Sequence, residues 1–104
     1  MRKECFNINL SPSKAKELIL REIDISLVHS QSYNIDNEKL AIILIYEKNY
    51  ERNNSTASLF ISIDNINNKT SINAVTTGNS SGILGFAPDL ASKVKNLLKD
   101  YIID

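Results

Sequence analysis

The apolar run from Leu40 to Tyr46, with the sequence Leu-Ala-Ile-Ile-Leu-Ile-Tyr, restricts the fold of this chain more than any other segment. Its length fits a strand or a short helix, but its isoleucines favour a strand, because β-branched side chains suit a pleated sheet. A strand with apolar side chains on both faces belongs inside a sheet. We therefore expect this strand to lie centrally and to be covered on both sides, or nearly so.

Changes in the spacing of apolar residues divide the rest of the chain into further elements. Alternation predicts strands over about residues 3–10, 25–33, 57–64 and 70–77. The last two strands are joined by an Asn-rich turn, which is typical of an antiparallel hairpin. The polar residues 47–55 are expected to form a long connection.

The second of these strands is the weakest, because neither of its faces is cleanly apolar. One face would carry Leu27, His29, Gln31 and Tyr33. The Asn- and Asp-rich residues 34–38 that follow are predicted to form a turn, since both residue types tolerate turn backbone angles.

Two helices are predicted, one near each end of the chain. Ser11-Pro12 is typical of an N-cap followed by proline at the first helical position, and apolar residues at helical spacing then reach Ile23. Pro88-Asp89 opens the second helix, whose amphipathic pattern would extend for about 15 residues.

The resulting order, β-α-β-β-β-β-α, predicts an α+β fold in which both helices pack on one face of an antiparallel sheet. This order resembles the TATA-binding-protein-like or helix-grip arrangement, which implies a curved sheet holding a long C-terminal helix. The length of 104 residues fits a single domain over residues 1–104. An open sheet has exposed edges, and dimerisation is one way to cover them.

Composition excludes several classes of function. Twelve basic and twelve acidic side chains give no net charge, which argues against a nucleic-acid partner. A single Cys, Cys5, excludes a disulfide framework. With one Cys, one His and no obvious acid beside His29, neither a triad nor a His-rich metal site is expected within one chain. We therefore predict no catalytic residue, no metal and no cofactor, although acid–base chemistry by Tyr, Glu and Arg stays open.

The N-terminal residues show no secretory pattern. Met1-Arg2-Lys3 is a charged start, but the residues that follow are not an apolar signal segment. No apolar run approaches the ~18 residues of a membrane span. We expect a cytoplasmic protein without a membrane partner.

The connection 47–55 is the first candidate ligand site, because binding residues concentrate on loops held by a rigid sheet. It places Tyr50, Arg52 and Asn53 near Tyr46. The guanidinium of Arg52 could hold a carboxylate or phosphate through two hydrogen bonds. The alternative is a solvated loop whose charges balance one another.

The three glycines of the chain, Gly78, Gly82 and Gly85, form the second candidate site ahead of the last helix. Backbone N–H groups at such a place can surround an anion. Their spacing matches neither a P-loop nor Gly-x-Gly-x-x-Gly. The alternative is that the glycines supply the positive φ angles of a tight passage from strand to helix.

Three segments together resemble a known family. They are the stretch Tyr46–Asn53, then Ala57-Ser58-Leu59, then Thr77–Gly82 ahead of an aromatic residue and the last helix. They resemble a small family of uncharacterised proteins, a domain of unknown function, from bacteria of the Firmicutes group. The resemblance would cover nearly the whole chain and implies no catalytic residue. It also implies a more glycine-rich loop than Gly78–Gly85, and therefore weaker binding here if that loop holds a ligand.

The sequence thus favours a non-enzymatic binding or assembly module that forms a homodimer through sheet edges or faces. The alternative is a small-ligand binding protein that holds an anion or an apolar metabolite between the sheet and the C-terminal helix. In that case the site would be lined by Tyr46, Tyr50, Arg52 and the glycine loop.

Overall fold

The computed structural model describes residues 2–50, 55–79 and 89–103. The elements are β1 (Arg2–Ile8), α1 (Pro12–Glu22), β2 (Ser26–Asp36), β3 (Lys39–Tyr50), β4 (Ser55–Asp64), β5 (Thr70–Asn79) and α2 (Leu90–Leu97), followed by a 3₁₀ turn (Lys99–Tyr101). This order confirms the predicted β-α-β-β-β-β-α arrangement and the α+β fold class. Within the described ranges, no helix is long and apolar enough to cross a membrane.

The five strands form one antiparallel sheet in the order β1-β5-β4-β3-β2. Strands β2 to β5 follow one another as a meander, and the predicted hairpin of β4 and β5 is confirmed by register pairs from Thr56–Asn79 to Asp64–Ser71. The first strand then lies beside the last, with Arg2 opposite Thr76. The two edges of the sheet are therefore β1 and β2.

Both helices pack on the same face of the sheet, which we call the covered face. Helix α1 lies on β3 and β4, α2 lies on β5 and β1, and the two helices touch. The buried side chains of the sheet that point towards the helices are Phe6, Ile8, Ile42, Leu44, Tyr46, Ala57, Leu59, Ile61, Ile63, Ile72 and Ala74. The opposite face, which we call the open face, has no helix on it within the described residues.

Helix α1 begins where the sequence predicts. The side chain of Ser11 accepts a hydrogen bond from the N–H of Lys14 at 3.2 Å, and Pro12 occupies the first helical position. Ala15 and Ile19, one turn apart, are fully buried against the sheet. The N-cap therefore fixes the start of the helix, and its apolar face fixes its orientation.

Helix α2 is shorter than the 15 residues that its pattern predicts, so that prediction is wrong. It has eight residues, and its N-cap is Asp89. The chain leaves the helix at Leu98 and passes through the 3₁₀ turn to Ile102, which forms an isolated bridge with Ile8 of β1. Pairing with the sheet edge thus ends a helix that the amphipathic pattern alone would continue.

The position of β3 also differs from the prediction. This strand lies second from the edge, and only its covered face is buried, at Ile42, Leu44 and Tyr46. Ile43 and Ile45 point to the open face and are half-buried. An apolar run does not specify what covers its second face, so the expectation of a central strand covered on both sides is wrong.

Candidate functional site

Tyr46 lies in the core. Its side chain is 1% exposed and sits opposite Leu59 of β4 on the covered face. Its hydroxyl group has no hydrogen-bond partner among the described residues. Burial raises the pKa of Tyr46 above its ordinary value. Burial of a hydroxyl group without a partner destabilises the folded protein. Tyr46 therefore lies in the core and does not present its hydroxyl to a ligand at the surface.

Tyr50 is the last residue of β3 and is half-buried. The ammonium group of Lys48 lies 5.3 Å from the centre of its ring, within the range of a cation–π contact. Burial raises the pKa of the Tyr50 hydroxyl. The structure therefore brings Tyr46 and Tyr50 to the same strand, with Lys48 between them.

The other predicted ligand residues divide into two groups. Gly78 is an exposed residue of β5 that pairs with Ala57, so β5 continues past the predicted strand end at residue 77. Arg52, Asn53, Gly82 and Gly85 lie outside the described residues. The expectation of a long connection over residues 47–55 is wrong, because β3 continues to Tyr50 and β4 begins at Ser55. The proposed ligand roles of this segment and of the glycine loop stay predictions.

A cleft of about 390 Å³ opens on the covered face, and we call it the inter-helix cleft. It is bordered by the end of α1, by β3 and β4, and by α2. Its lining residues are Glu22, Ile23, Asp24, Ile25, Lys48, Leu59, Leu90, Lys93, Asn96 and Leu97. It lies between the sheet and the C-terminal helix, where the sequence interpretation expected a concavity, but neither Tyr46 nor Tyr50 lines it.

Sequence reasoning missed most of this lining because it comes from separate segments. Leu90 and Leu97 lie two helical turns apart on α2, and Ile23 and Ile25 flank Asp24 in the link between α1 and β2. The spacing of these apolar residues predicts a helix face that packs on the core, and it does not predict the wall of a cavity.

The β2 edge is the second notable feature. All eleven residues of Ser26–Asp36 are exposed. Four of them are large apolar residues, and they are 41–55% exposed: Leu27, Val28, Tyr33 and Ile35. Asp36, at the end of the strand, is its one acidic residue, and the strand has no Lys or Arg. Both helices pack on the other four strands, so β2 extends beyond the helix layer.

A bulge in β2 changes the predicted distribution of its side chains. The register shifts between Leu27, which lies opposite Tyr46, and His29, which lies opposite Ile45. Leu27 is therefore on the covered face, while His29, Gln31 and Tyr33 are on the open face. The prediction that all four share one face is wrong, because one extra residue in a strand moves its neighbours to the opposite face.

An apolar row crosses the open face. It connects His29, Ile45, Phe60, Val75 and Lys3, which are successive partners in the register of the five strands. Phe60 is 39% exposed. Open faces of antiparallel sheets are usually polar. This row makes the centre of the open face more apolar than its margins.

The adjacent row contains Cys5, whose thiol donates a hydrogen bond to Asn73 Oδ1 at 2.8 Å. Cys5 is an exposed free cysteine. Across the described residues, no group of three or more His, Cys, Asp or Glu side chains is arranged to hold a metal ion.

The β1 edge, in contrast, is covered by the C-terminal segment. Asn9 N–H donates to the carbonyl of Tyr101, and Ile103 N–H donates to the carbonyl of Asn7, both at 2.9 Å. These bonds occupy backbone groups that an edge strand otherwise leaves to solvent.

Two ion pairs connect the remainder of β1 to α2. Arg2 lies 3.7 Å from the Asp89 carboxylate, and Lys95 lies 3.4 Å from Glu4. Side chains of α2 therefore hold the N-terminal half of β1, and backbone bonds hold its C-terminal half.

Comparison with known proteins places the chain in a family but assigns no activity. No curated protein and no solved structure matches it. A match to the family of unknown function DUF6054 extends over residues 9–102, from the end of β1 to the segment that covers the β1 edge. This match covers nearly the whole chain, and the protein therefore belongs to DUF6054.

Proposed function

We propose that this protein is a non-enzymatic assembly module that forms a homodimer by antiparallel pairing of two β2 edges. The observation that carries the proposal is the exposure of β2 along its entire length. In an antiparallel edge strand, alternate residues direct N–H and C=O groups away from the sheet. An edge strand of eleven residues offers enough such groups to pair with a second strand and extend the sheet from five strands to ten.

The composition of β2 supports this pairing. Proteins that remain monomeric protect long sheet edges with Lys, Pro, short strands or covering segments. The ten residues from Ser26 to Ile35 contain no Lys, Arg or Pro, and their side chains are polar and uncharged or apolar, apart from His29. Such a surface favours association with another uncharged strand.

The sequence of β2 is also complementary to itself. If Gln31 of one copy faces Gln31 of the other, the regular stretch from His29 to Tyr33, which lies between the two register shifts of β2, pairs with itself. His29 then faces Tyr33, and Ser30 faces Ser32. Polar residues meet at the centre of this stretch, and no two like charges meet, which favours a two-fold symmetric interface.

The cytoplasm is the proposed location. Cys5 is exposed and unpaired, and such thiols are kept reduced in that compartment. We propose assembly rather than catalysis because the β2 edge and the apolar row of the open face are surfaces suited to association with another chain.

Light scattering at micromolar concentration tests the proposal. We expect the wild-type protein to have twice the chain mass of 11.7 kDa. The double variant Ser30→Lys/Ser32→Lys brings four ammonium groups together across the two-fold axis and should be monomeric. The control Asn67→Lys/Thr77→Lys adds the same charge at exposed sites outside β2 and should remain dimeric. A monomeric wild type, or a dimer that tolerates the β2 lysines, would contradict the proposal.

Oxidative cross-linking tests the register. In a Cys5→Ser background, Gln31→Cys places two thiols at the two-fold axis, where directly opposed residues have Cβ atoms about 4.5–5.5 Å apart. Oxidation should give a covalent dimer for Gln31→Cys but not for Asn67→Cys, which lies in the turn between β4 and β5. Cross-linking of both variants to the same extent would indicate random collision instead.

A further inference from the structure

The inter-helix cleft has the dimensions of a small-molecule site. Its volume of about 390 Å³ falls within the range of about 300–1,000 Å³ that is usual for ligand pockets. Its lining comes from the end of α1, the link from α1 to β2, the strands β3 and β4, and α2. This cleft is independent of the β2 edge, so the following inference does not rest on the proposed dimer.

The inner part of the cleft is apolar. Leu59 of β4 and Leu90 of α2 are buried members of the core. Ile23, Ile25 and Leu97 pack against that core and are partly buried. An aliphatic group placed there would be removed from water, which stabilises a complex by about 25 cal/mol for each Å² of apolar surface buried.

The α1 side of the cleft is negative. The last carbonyl groups of a helix carry a partial negative charge, and the lining includes Glu22 at the end of α1 and Asp24 in the link to β2. Glu22 is paired with Arg21 at 3.2 Å. Asp24 has no ion-pair partner among the described residues.

Two cationic side chains also line the cleft. Lys48 comes from β3 and Lys93 from α2. Neither ammonium group forms an ion pair with another described residue. Asn96, one turn after Lys93, adds an amide that can donate hydrogen bonds. These groups together suit a carboxylate.

We infer that the inter-helix cleft binds a zwitterionic molecule with an aliphatic body, namely an apolar amino acid or a short apolar peptide. The ammonium group lies against Asp24 and the end of α1, the carboxylate lies between Lys48 and Lys93, and the side chain contacts Leu59 and Leu90. A singly charged ligand pairs with either the carboxylates or the lysines and leaves the other charges unpaired, which weakens its binding.

Isothermal titration of the full chain with leucine and with the dipeptide Leu-Leu tests this inference. Binding in the millimolar range or tighter is expected for at least one of them. Isopentylamine, which lacks the carboxylate of leucine, and 4-methylpentanoate, which lacks the ammonium, should each bind at least about tenfold more weakly than leucine. Absence of binding by both zwitterions at about 10 mM, or equal binding of the singly charged analogues, would overturn it.

Two variants assign the ends of the ligand. Lys93→Met should weaken binding of the zwitterion about tenfold and leave binding of isopentylamine unchanged. Asp24→Asn should also weaken binding of the zwitterion about tenfold, but it should not weaken binding of 4-methylpentanoate. The matched controls Lys69→Met and Asp100→Asn change exposed residues away from the cleft and should bind like the wild type. Equal losses in the variants and their controls would refute the assignment, and circular dichroism shows whether each variant is folded.

Discussion

The two edges of the sheet differ in how far other parts of the chain cover them. The β1 edge is held by ion pairs to α2 and by hydrogen bonds to the C-terminal segment. The β2 edge is longer, exposed at every residue and without a covering helix in the described structure. Because unpaired edges favour association, this difference is the basis of the pairing proposed at β2.

The difference in burial between the two edges does not come from the intrinsic tendency of their residues to form strands. β2 is longer than β1, yet β1 contains buried residues and β2 contains none. Protection of an edge therefore comes from the packing of distant segments on it, in this case α2 and the residues that follow it. Each of the following predictions tests one part of that contrast.

Replacement of Ile8 by Ala should have the largest effect. Ile8 is 1% exposed, and its removal leaves a cavity where β1 meets Ile102. We expect a loss of about 2–5 kcal/mol in the free energy of unfolding, measured with urea. The matched variant Ile35→Ala on β2, made in the Ser30→Lys/Ser32→Lys background, should change stability by less than about 0.5 kcal/mol. Similar losses at both positions would remove the distinction between the edges.

Deletion of residues 102–104 should convert β1 into a second unprotected edge. The deletion removes the partly buried Ile102 and the hydrogen bond from Ile103 N–H to Asn7. We expect a loss of about 1–3 kcal/mol in stability, from one hydrogen bond and the apolar contact. Light scattering should detect species larger than a dimer, because two open edges permit chains of molecules.

The control for this deletion is Ile103→Ala, which keeps every backbone group. It should retain the size of the wild-type protein. A deleted protein that stays folded and no larger than the wild type would show that the C-terminal segment does not protect β1.

Replacement of Tyr46 by Phe should have a smaller effect of opposite sign. The change removes a buried hydroxyl that has no partner among the described residues. We expect stability to be unchanged or to increase by up to about 1 kcal/mol. A decrease of more than about 1 kcal/mol in the free energy of unfolding, measured with urea, would show that the hydroxyl has a stabilising partner.

The pH dependence of Tyr46 provides a second measurement. Burial raises its pKa in the folded state, so the unfolded chain loses the hydroxyl proton first as pH rises. Stability is therefore lost as pH rises above the ordinary tyrosine pKa of about 10. Tyr46→Phe should reduce that alkaline loss.

Replacement of Asp89 by Asn should have the smallest effect at neutral pH. The hydrogen bond from the Ser92 hydroxyl lowers the pKa of Asp89, and the charge of Arg2 adds to this. Because the folded pKa is lower than the unfolded one, the carboxylate contributes stability above its ordinary pKa, and that stability is lost as pH falls through the folded pKa. Asn also caps helices, so Asp89→Asn should mainly flatten the acid side of the stability curve.

A control for the Asp89 measurement is Glu17→Gln, which removes an exposed carboxylate on α1. In Glu17→Gln, stability should fall more steeply with decreasing pH than it does in Asp89→Asn. Equal curves for the two variants would show that the contacts of Asp89 with Ser92 and Arg2 do not stabilise the β1 side of the sheet.

Local patterns were sufficient to predict the strands, the start of α1 and the element order. Ser11-Pro12 and the alternation in β4 and β5 depend on neighbouring residues only. The bulge after Leu27 and the early end of α2 were missed, because each depends on pairing with a distant strand. The resemblance to the TATA-binding-protein-like or helix-grip arrangement stays a prediction.

The candidate sites were harder to predict than the fold. Tyr46 looked like a ligand residue because it precedes a polar segment, but its position in the strand directs it to the core. The inter-helix cleft combines Asp24, Lys48 and Lys93 from three parts of the chain, and no spacing in the sequence joins them. Sites of this kind follow from topology, which a single sequence specifies only indirectly.

The order of the strands also determines when the protein can fold during its synthesis. β1 is translated first, yet its partner is β5, and Arg2 pairs with Thr76. The meander from β2 to β5 can form through local hairpins while β1 is still unpaired. Contacts between distant segments slow folding, because the intervening chain must be ordered before they form. The β1 edge is therefore completed late, after the segment that covers it has been synthesised.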